Sequence, residues 1–202
     1  TDKNAGAGNK TIAVTNATGD ANTSVTNYNI TYVNSTTSTI TPKSLTVTAG
    51  AQTKTYDGTT TVTSNTAYNV TGLVGNETIS SVTLAYTDKN AGAGNKTIAV
   101  TNATGDANTS ASNYNITYVN STTSTINTKS LTVTASAQTK TYDGGTGVAS
   151  NTAFTTSGLV ANETISSVTL AYTDKNAGAG NKTIAVTNAT GDANTSVTNY
   201  LI

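Results

Sequence analysis

Lys43-Ser44-Leu45-Thr46-Val47-Thr48-Ala49 alternates apolar and polar residues with a period of two. In an extended chain Leu45, Val47 and Ala49 share one face, while Ser44, Thr46 and Thr48 share the other. The stretch therefore predicts a β-strand with one side turned inward. Thr, β-branched yet polar, suits the wetter side. The same alternation returns at Ile12-x-Val14, Tyr28-x-Ile30-x-Tyr32 and Val82-x-Leu84-x-Tyr86. No segment carries a sustained helical period with caps. Turn chemistry punctuates the strands at Gly19-Asp20, Asp57-Gly58, Thr71-Gly72, Gly75-Asn76 and the run Asn4-Ala5-Gly6-Ala7-Gly8-Asn9. The expected fold class is all-β: tandem antiparallel β-sandwich repeats of immunoglobulin-like type forming an elongated rod. β-Grasp-like units or a continuous β-solenoid are the alternatives.

The strands belong to a long repeat. TDKNAGAGNKTIAVTNATGDANTS begins at Thr1, again at Thr87 and again at Thr173, a constant offset of 86 residues. Residues 1–86 and 87–172 differ at 13 positions, among them Val25/Ala111, Pro42/Thr128, Tyr68/Phe154 and Gly75/Ala161. Residues 173–202 match 1–30 except that Leu201 stands where Asn29 stood. A period this long marks an array of small domains. The joint is expected near Thr41-Pro42-Lys43 and Asn127-Thr128-Lys129, where few residues separate one apolar pattern from the next. Pro42 has a fixed φ and no amide donor, which suits a strand end. The expected layout is residues 1–42 as the end of a preceding repeat, 43–128 as a complete repeat and 129–202 as most of a following one. Both ends fall inside a repeat, so the chain reads as an excerpt of a longer array.

Composition narrows the function. There is no Cys, His, Met or Trp, and ten cations balance ten carboxylates to zero net charge. Only 10% of residues are charged, which leaves no field to draw nucleic acid or an anionic membrane. No apolar run approaches the ~18 residues of a membrane-spanning helix. General acid–base catalysis wants paired carboxylates or His, and nucleophilic catalysis an activated Ser or Cys beside a base. Neither set can be assembled, so no enzyme, no catalytic residue and no cofactor is expected.

Lys43–Ala49 leads into Lys54-Thr55-Tyr56-Asp57-Gly58, then Gly72-Leu73-Val74, Asp88-Lys89-Asn90-Ala91-Gly92 and Asn113-Tyr114-Asn115-Ile116. The next copy carries the same marks at Lys129–Ala135, Tyr142-Asp143-Gly144, Gly158-Leu159 and Asp174–Gly178. Together these resemble the YDG-type repeats of large bacterial surface and secreted adhesins, over essentially the whole chain. The resemblance implies an extracellular stalk whose tandem units space an adhesive tip from the envelope. Its partners would be neighbouring repeats, with host or matrix glycans or proteins met by other regions. It supplies no catalytic residue.

Several motifs have two readings. Tyr56-Asp57-Gly58 and Tyr142-Asp143-Gly144 are read as a structural turn, since Asp-Gly takes hairpin geometry readily. The Asp2–Asn9 loop offers oxygen donors, but one Asp beside a Lys is a poor calcium set. In residues 1–86, Asn9, Asn16, Asn22, Asn29, Asn34, Asn69 and Asn76 head Asn-x-Ser/Thr triplets, a hypothesis of glycosylation. Glu77 and Glu163, the only Glu residues, raise a Lys43–Asn cross-link, against the plainer reading of solvated surface charges. A rival to the spacer is a repeated glycan-binding module that stacks Tyr28, Tyr32, Tyr56, Tyr68 and Tyr86 on sugars. Against it, Tyr28 and Tyr32 share a face with Ile30, which points to core packing. Lateral self-association into a filament through exposed strand edges is the third reading.

Overall fold

The computed structural model of the chain describes residues 2–202. Its strands are β1 (Gly6–Ile12), β2 (Ser35–Ile40), β3 (Lys43–Ala49), β4 (Thr53–Thr55), β5 (Tyr68–Thr71), β6 (Ile79–Tyr86), β7 (Gly92–Gly105), β8 (Tyr114–Val119) and β9 (Ser121–Asn127). There follow β10 (Lys129–Ser130), β11 (Thr132–Ala135), β12 (Phe154–Ser157), β13 (Ile165–Tyr172), β14 (Ile184–Gly191) and β15 (Tyr200–Leu201). Single 3₁₀ turns occur at Val25–Asn27, Ala111–Asn113 and Val197–Asn199. Among the described residues there is no α-helix, and the chain is all-β.

The contacts form two compact units, and β6 and β7 have residues in both. The first unit holds the chain up to Ala49, with Tyr68–Thr83 and Val100–Val119. At its centre β3 pairs antiparallel with β5 (Val47 opposite Val70) and parallel with β8 (Leu45 opposite Ile116). Leu45, Val47 and Ala49 are buried, as their alternation requires, and Ile79, Val82, Val100 and Tyr114 complete this core. Here too β1 lies antiparallel to β2.

The second unit holds Gly50–Ala67, Leu84–Ala99 and Asn120–Ile202. In it β9 lies between two neighbours, parallel to β4 and antiparallel to the Gly92–Ile98 stretch of β7. The pairs β11–β12 and β13–β14 are antiparallel, and β10 pairs parallel with β15. Tyr56, Leu84, Tyr86, Ile98, Ile126, Leu131, Ile165, Val168, Leu170, Tyr172 and Tyr200 are its buried apolar residues.

Two expectations are corrected. The sheets are not all antiparallel: those built on β3 and on β9 mix directions through the parallel pairs β3–β8 and β4–β9, and β10–β15 is parallel. Period-two alternation says which face a residue takes but not which way the neighbouring strand runs. Second, the first copies of two patterns are exposed: Ile12 at 58% and Val14 at 48%, against 0% and 1% for the identical Ile98 and Val100. Tyr28-x-Ile30-x-Tyr32 is neither a strand nor core, with Tyr28 65% exposed. Its counterpart β8 is extended because β3 holds it along its length, and Tyr28–Tyr32 has no such neighbour among the described residues.

Candidate functional site

The Tyr-Asp-Gly turn is built around a buried cation. Lys54 carries its ammonium into the second unit, with 5% of the side chain exposed. There it donates to Asp57 Oδ1 at 2.7 Å and to the Thr59 carbonyl at 2.8 Å. It also stands 5.3 Å from the centre of the Tyr86 ring, whose electron-rich face favours a cation. Asp57 Oδ1 accepts the Thr59 amide at 2.9 Å, and Gly58 takes the left-handed φ of +76° that closes the turn. Burial works against the charge of Asp57, but the bonds from Lys54 and Thr59 outweigh it and hold the carboxyl below its usual range. The strands on either side are not each other's partners. β4 lies along β9, whereas Thr61 bridges Ala85. The turn thus carries the chain between strands rather than closing a hairpin.

Tyr56 points its ring into a cluster supplied by residues more than a hundred positions away. Its hydroxyl donates to Glu163, and the Tyr200 hydroxyl donates to the other oxygen of the same carboxylate. The two rings meet edge to face, 5.5 Å between centres and 80° between planes. That arrangement sets the positive rim of one ring against the face of the other. Tyr200 Oη also accepts the Val160 amide at 2.9 Å. Burial, then the bond to Glu163 and its charge, push the Tyr56 hydroxyl pKa well above the ordinary tyrosine value. Burial and the bond to Glu163 raise Tyr200 to about 12.

Asn199, 1% exposed, fastens the adjoining loop. Its Oδ1 accepts the Ala91 amide at 2.8 Å and its Nδ2 donates to Asn90 Oδ1 at 3.0 Å. The first unit repeats this clasp 86 residues earlier: Asn113 Oδ1 accepts the Ala5 amide at 2.8 Å, and its Nδ2 donates to Asn4 Oδ1 at 3.0 Å. Glu77 likewise accepts the Tyr114 hydroxyl there.

The second Tyr-Asp-Gly turn has the same internal bonds. Lys140 donates to Asp143 at 2.7 Å and to the Gly145 carbonyl at 2.8 Å, 5.7 Å from the Tyr172 ring. Yet Tyr142 is 61% exposed, beside an open groove of about 660 Å³ that runs between Ala135–Tyr142 and Asp174–Ile184.

The turn residues singled out from sequence thus divide: Tyr56 enters the cluster and Tyr142 does not. Glu163 is buried and bound to two hydroxyls, not the solvated charge expected of it. Glu77 is bonded to Tyr114, and among the described residues neither Glu is bonded to a Lys. Of the tyrosines considered for stacking on sugars, Tyr56 and Tyr86 are buried, and Tyr68 donates its hydroxyl to the Ile79 carbonyl. In the Asp2–Asn9 loop considered for calcium, Asp2 accepts from the Asn4 amide and from Lys10, and its copies Asp88 and Asp174 accept from Asn90 and Lys96 and from Asn176 and Lys182. Asn199, Asn90 and Tyr200 were not singled out as joint residues. The signals they offered were an Asn-Tyr pair returning at Asn113-Tyr114 and the recurring Asp88-Lys89-Asn90-Ala91-Gly92.

A family model described as a YDG domain matches residues 41–124 and again 127–202. No curated protein and no solved structure matches the chain.

Proposed function

Because the chain belongs to the YDG domain family, whose two tandem matches span most of it, we propose that it is a load-bearing spacer, a stalk or fibre segment of a bacterial surface or secreted adhesin. In this reading each repeat is an immunoglobulin-like sandwich, and the repeats stack into a rod. The rod holds an adhesive region away from the envelope. It performs no catalysis and takes no cofactor, and its partners within this segment are the neighbouring repeats.

The observation that carries the reading is the joint in the second unit. Tyr56, Asn90 and Ala91 of the first matched segment bond to Glu163 and Asn199 of the second, and Tyr56, Glu163 and Asn199 are buried. Only Thr128 separates β9 from β10. A spacer needs its joints to resist bending, and a buried carboxylate bound by two hydroxyls gives up its bonds only at the cost of a desolvated charge. Laterally paired strands add resistance to pulling, since several backbone hydrogen bonds worth ~1 kcal/mol each share the load.

Small-angle X-ray scattering tests the proposal. A compact chain of this length has a radius of gyration of about 17 Å and an unfolded one about 48 Å. A rod of stacked repeats, each roughly 33 Å long, is expected near 23–27 Å with a cross-section one sandwich thick. A compact value would sink the spacer reading.

A further inference from the structure

We infer that Asp57-Gly58 and its copy Asp143-Gly144 are latent isoaspartate sites, held closed by Lys54 and Lys140, which clamp the aspartate. They are the only Asp-Gly pairs in the chain. Such a pair can react with itself. The Gly58 nitrogen attacks Asp57 Cγ, a C–N bond forms, and the carboxyl hydroxyl leaves as water with the amide proton. Water then opens the resulting succinimide ring at the Asp57 backbone carbonyl and breaks the original peptide bond. The chain now runs through Cβ and Cγ, and the former backbone carbonyl carbon ends as a free carboxylate. The first step needs a neutral carboxyl, because an anion resists a nucleophile. It also needs that carboxyl to swing its carbon towards the glycine nitrogen.

Glycine leaves the attacking nitrogen unshielded, since no Cβ stands beside it, and the turn cannot exchange it for a bulkier residue. Gly58 and Gly144 have φ of +76° and +80°, a region other residues rarely adopt. Protection has to come from the aspartate. Asp57 Oδ1 accepts from Lys54 Nζ at 2.7 Å, from the Thr59 amide at 2.9 Å and from Thr59 Oγ1 at 2.9 Å. Turning the carboxyl towards Gly58 breaks these bonds. Lys54 is no loose surface cation. Its side chain is 5% exposed, a second bond ties it to the Thr59 carbonyl at 2.8 Å, and the Tyr86 ring lies 5.3 Å away. Burial favours the neutral carboxyl, but the bonds from Lys54 and Thr59 outweigh it and keep the group ionised.

The second copy separates the clamp from its setting. Gly145, Gly147 and Ala149 stand where Thr59, Thr61 and Thr63 stood, so the hydroxyl that bonds Asp57 has no counterpart there. Lys140 still donates to Asp143 at 2.7 Å and to the Gly145 carbonyl at 2.8 Å, and the Gly145 amide donates to Asp143 at 2.9 Å. The lysine and that amide are the parts the two turns share. Failure of the clamp would matter most at Asp57. Isomerisation inserts one extra carbon into the backbone beside Tyr56, which would draw its hydroxyl from Glu163 and open the joint.

The whole chain is incubated for weeks at neutral pH and digested, and isoaspartate at each pair is measured by fragment-ion mass spectrometry. The folded parent should form it about tenfold or more slowly at both pairs than the same chain held unfolded in urea. Lys140→Met should raise the rate at Asp143 by about tenfold or more and leave Asp57 at the parent rate. That factor corresponds to loss of one hydrogen bond to a charged group. Lys54→Met should do the reverse, so each variant carries an unaltered turn as its own control for the fold. Lys140→Arg, which keeps a cation beside the carboxylate, should stay near the parent. A Lys140→Met chain that isomerises at the parent rate at Asp143, or faster at both pairs alike, overturns the proposal. So does a folded parent that isomerises as fast as the unfolded one.

Discussion

Tyr56 and Tyr142 head the same turn, 86 residues apart, and meet opposite surroundings. Around both, a lysine reaches back to the aspartate at 2.7 Å, and the glycine takes a φ of +76° in one and +80° in the other. Tyr56 is 1% exposed and Tyr142 is 61% exposed. The turn is therefore made locally, by the aspartate, glycine and lysine. Burial of the tyrosine is imposed from outside, by Glu163, Asn199 and Tyr200. One motif thus serves as a self-contained turn and as half of a joint, and only the first role is inherent in its residues.

The strongest way to break this comparison is to truncate both rings. Tyr56→Ala should destabilise the chain by about 3–5 kcal/mol, the range for removing a buried aromatic side chain. Tyr142→Ala should stay within about 0.5 kcal/mol, as exposed positions do. Urea unfolding of the two variants measures both. Equal midpoints would mean that the joint contributes nothing to stability.

Alkaline pH probes the same cluster without mutation. Tyr200 titrates at about 12 in the fold, against an unperturbed ~10 in the unfolded chain. The folded state thus holds its proton where the unfolded state releases one. The stability tied to Tyr200 is complete below pH ~10 and is lost as pH climbs towards 12, up to ~3 kcal/mol for a two-unit difference. Thermal melting points should fall across that window. Tyr200→Phe, with no hydroxyl to ionise, should flatten the fall.

A smaller effect separates the two glutamates. Glu163 accepts from both Tyr56 and Tyr200, whereas Glu77 is bonded to Tyr114. Glu163→Gln turns an amide donor towards a hydroxyl that was itself donating and should cost about 1–3 kcal/mol. Glu77 is only half-buried, and Glu77→Gln should cost less. Equal costs in chemical denaturation would show that bridging two rings confers nothing.

These contrasts also mark how far the sequence could be read. Leu45, Val47 and Ala49 were legible as core because one face of β3 is buried along its length and alternation reports faces. The parallel course of β8 beside β3 was not, since pairing direction leaves no trace in a period of two. Ile12 and Ile98 sit in identical sequence and differ between 58% and 0% exposure, a distinction no reading of one copy could make. Asp57-Gly58 suggested a hairpin, whereas the chain on either side of it pairs elsewhere. The joint was not legible, because Glu163 and Asn199 act on a tyrosine and a loop about a hundred residues distant, with no local pattern to announce them.

The finest test moves to the glycines of the two turns. Gly58 and Gly144 both have positive φ, so an added Cβ costs each about 1 kcal/mol through backbone strain alone. Around Gly144 that Cβ would meet nothing within 4 Å. At Gly58 it would stand 2.8 Å from Val160 Cγ1, well inside contact distance. Val160 is β-branched and stiff about its first torsion, so it yields only by shifting backbone in the joint. Gly58→Ala should therefore exceed Gly144→Ala by about 1 kcal/mol, the lower end for overpacking a closed contact. Their shared cost measures the turn, and their difference measures the joint against which only the first turn is pressed. Identical denaturation midpoints for the two alanine variants would mean that Val160 gives way freely, and that the joint is looser than the burial of Tyr56 requires.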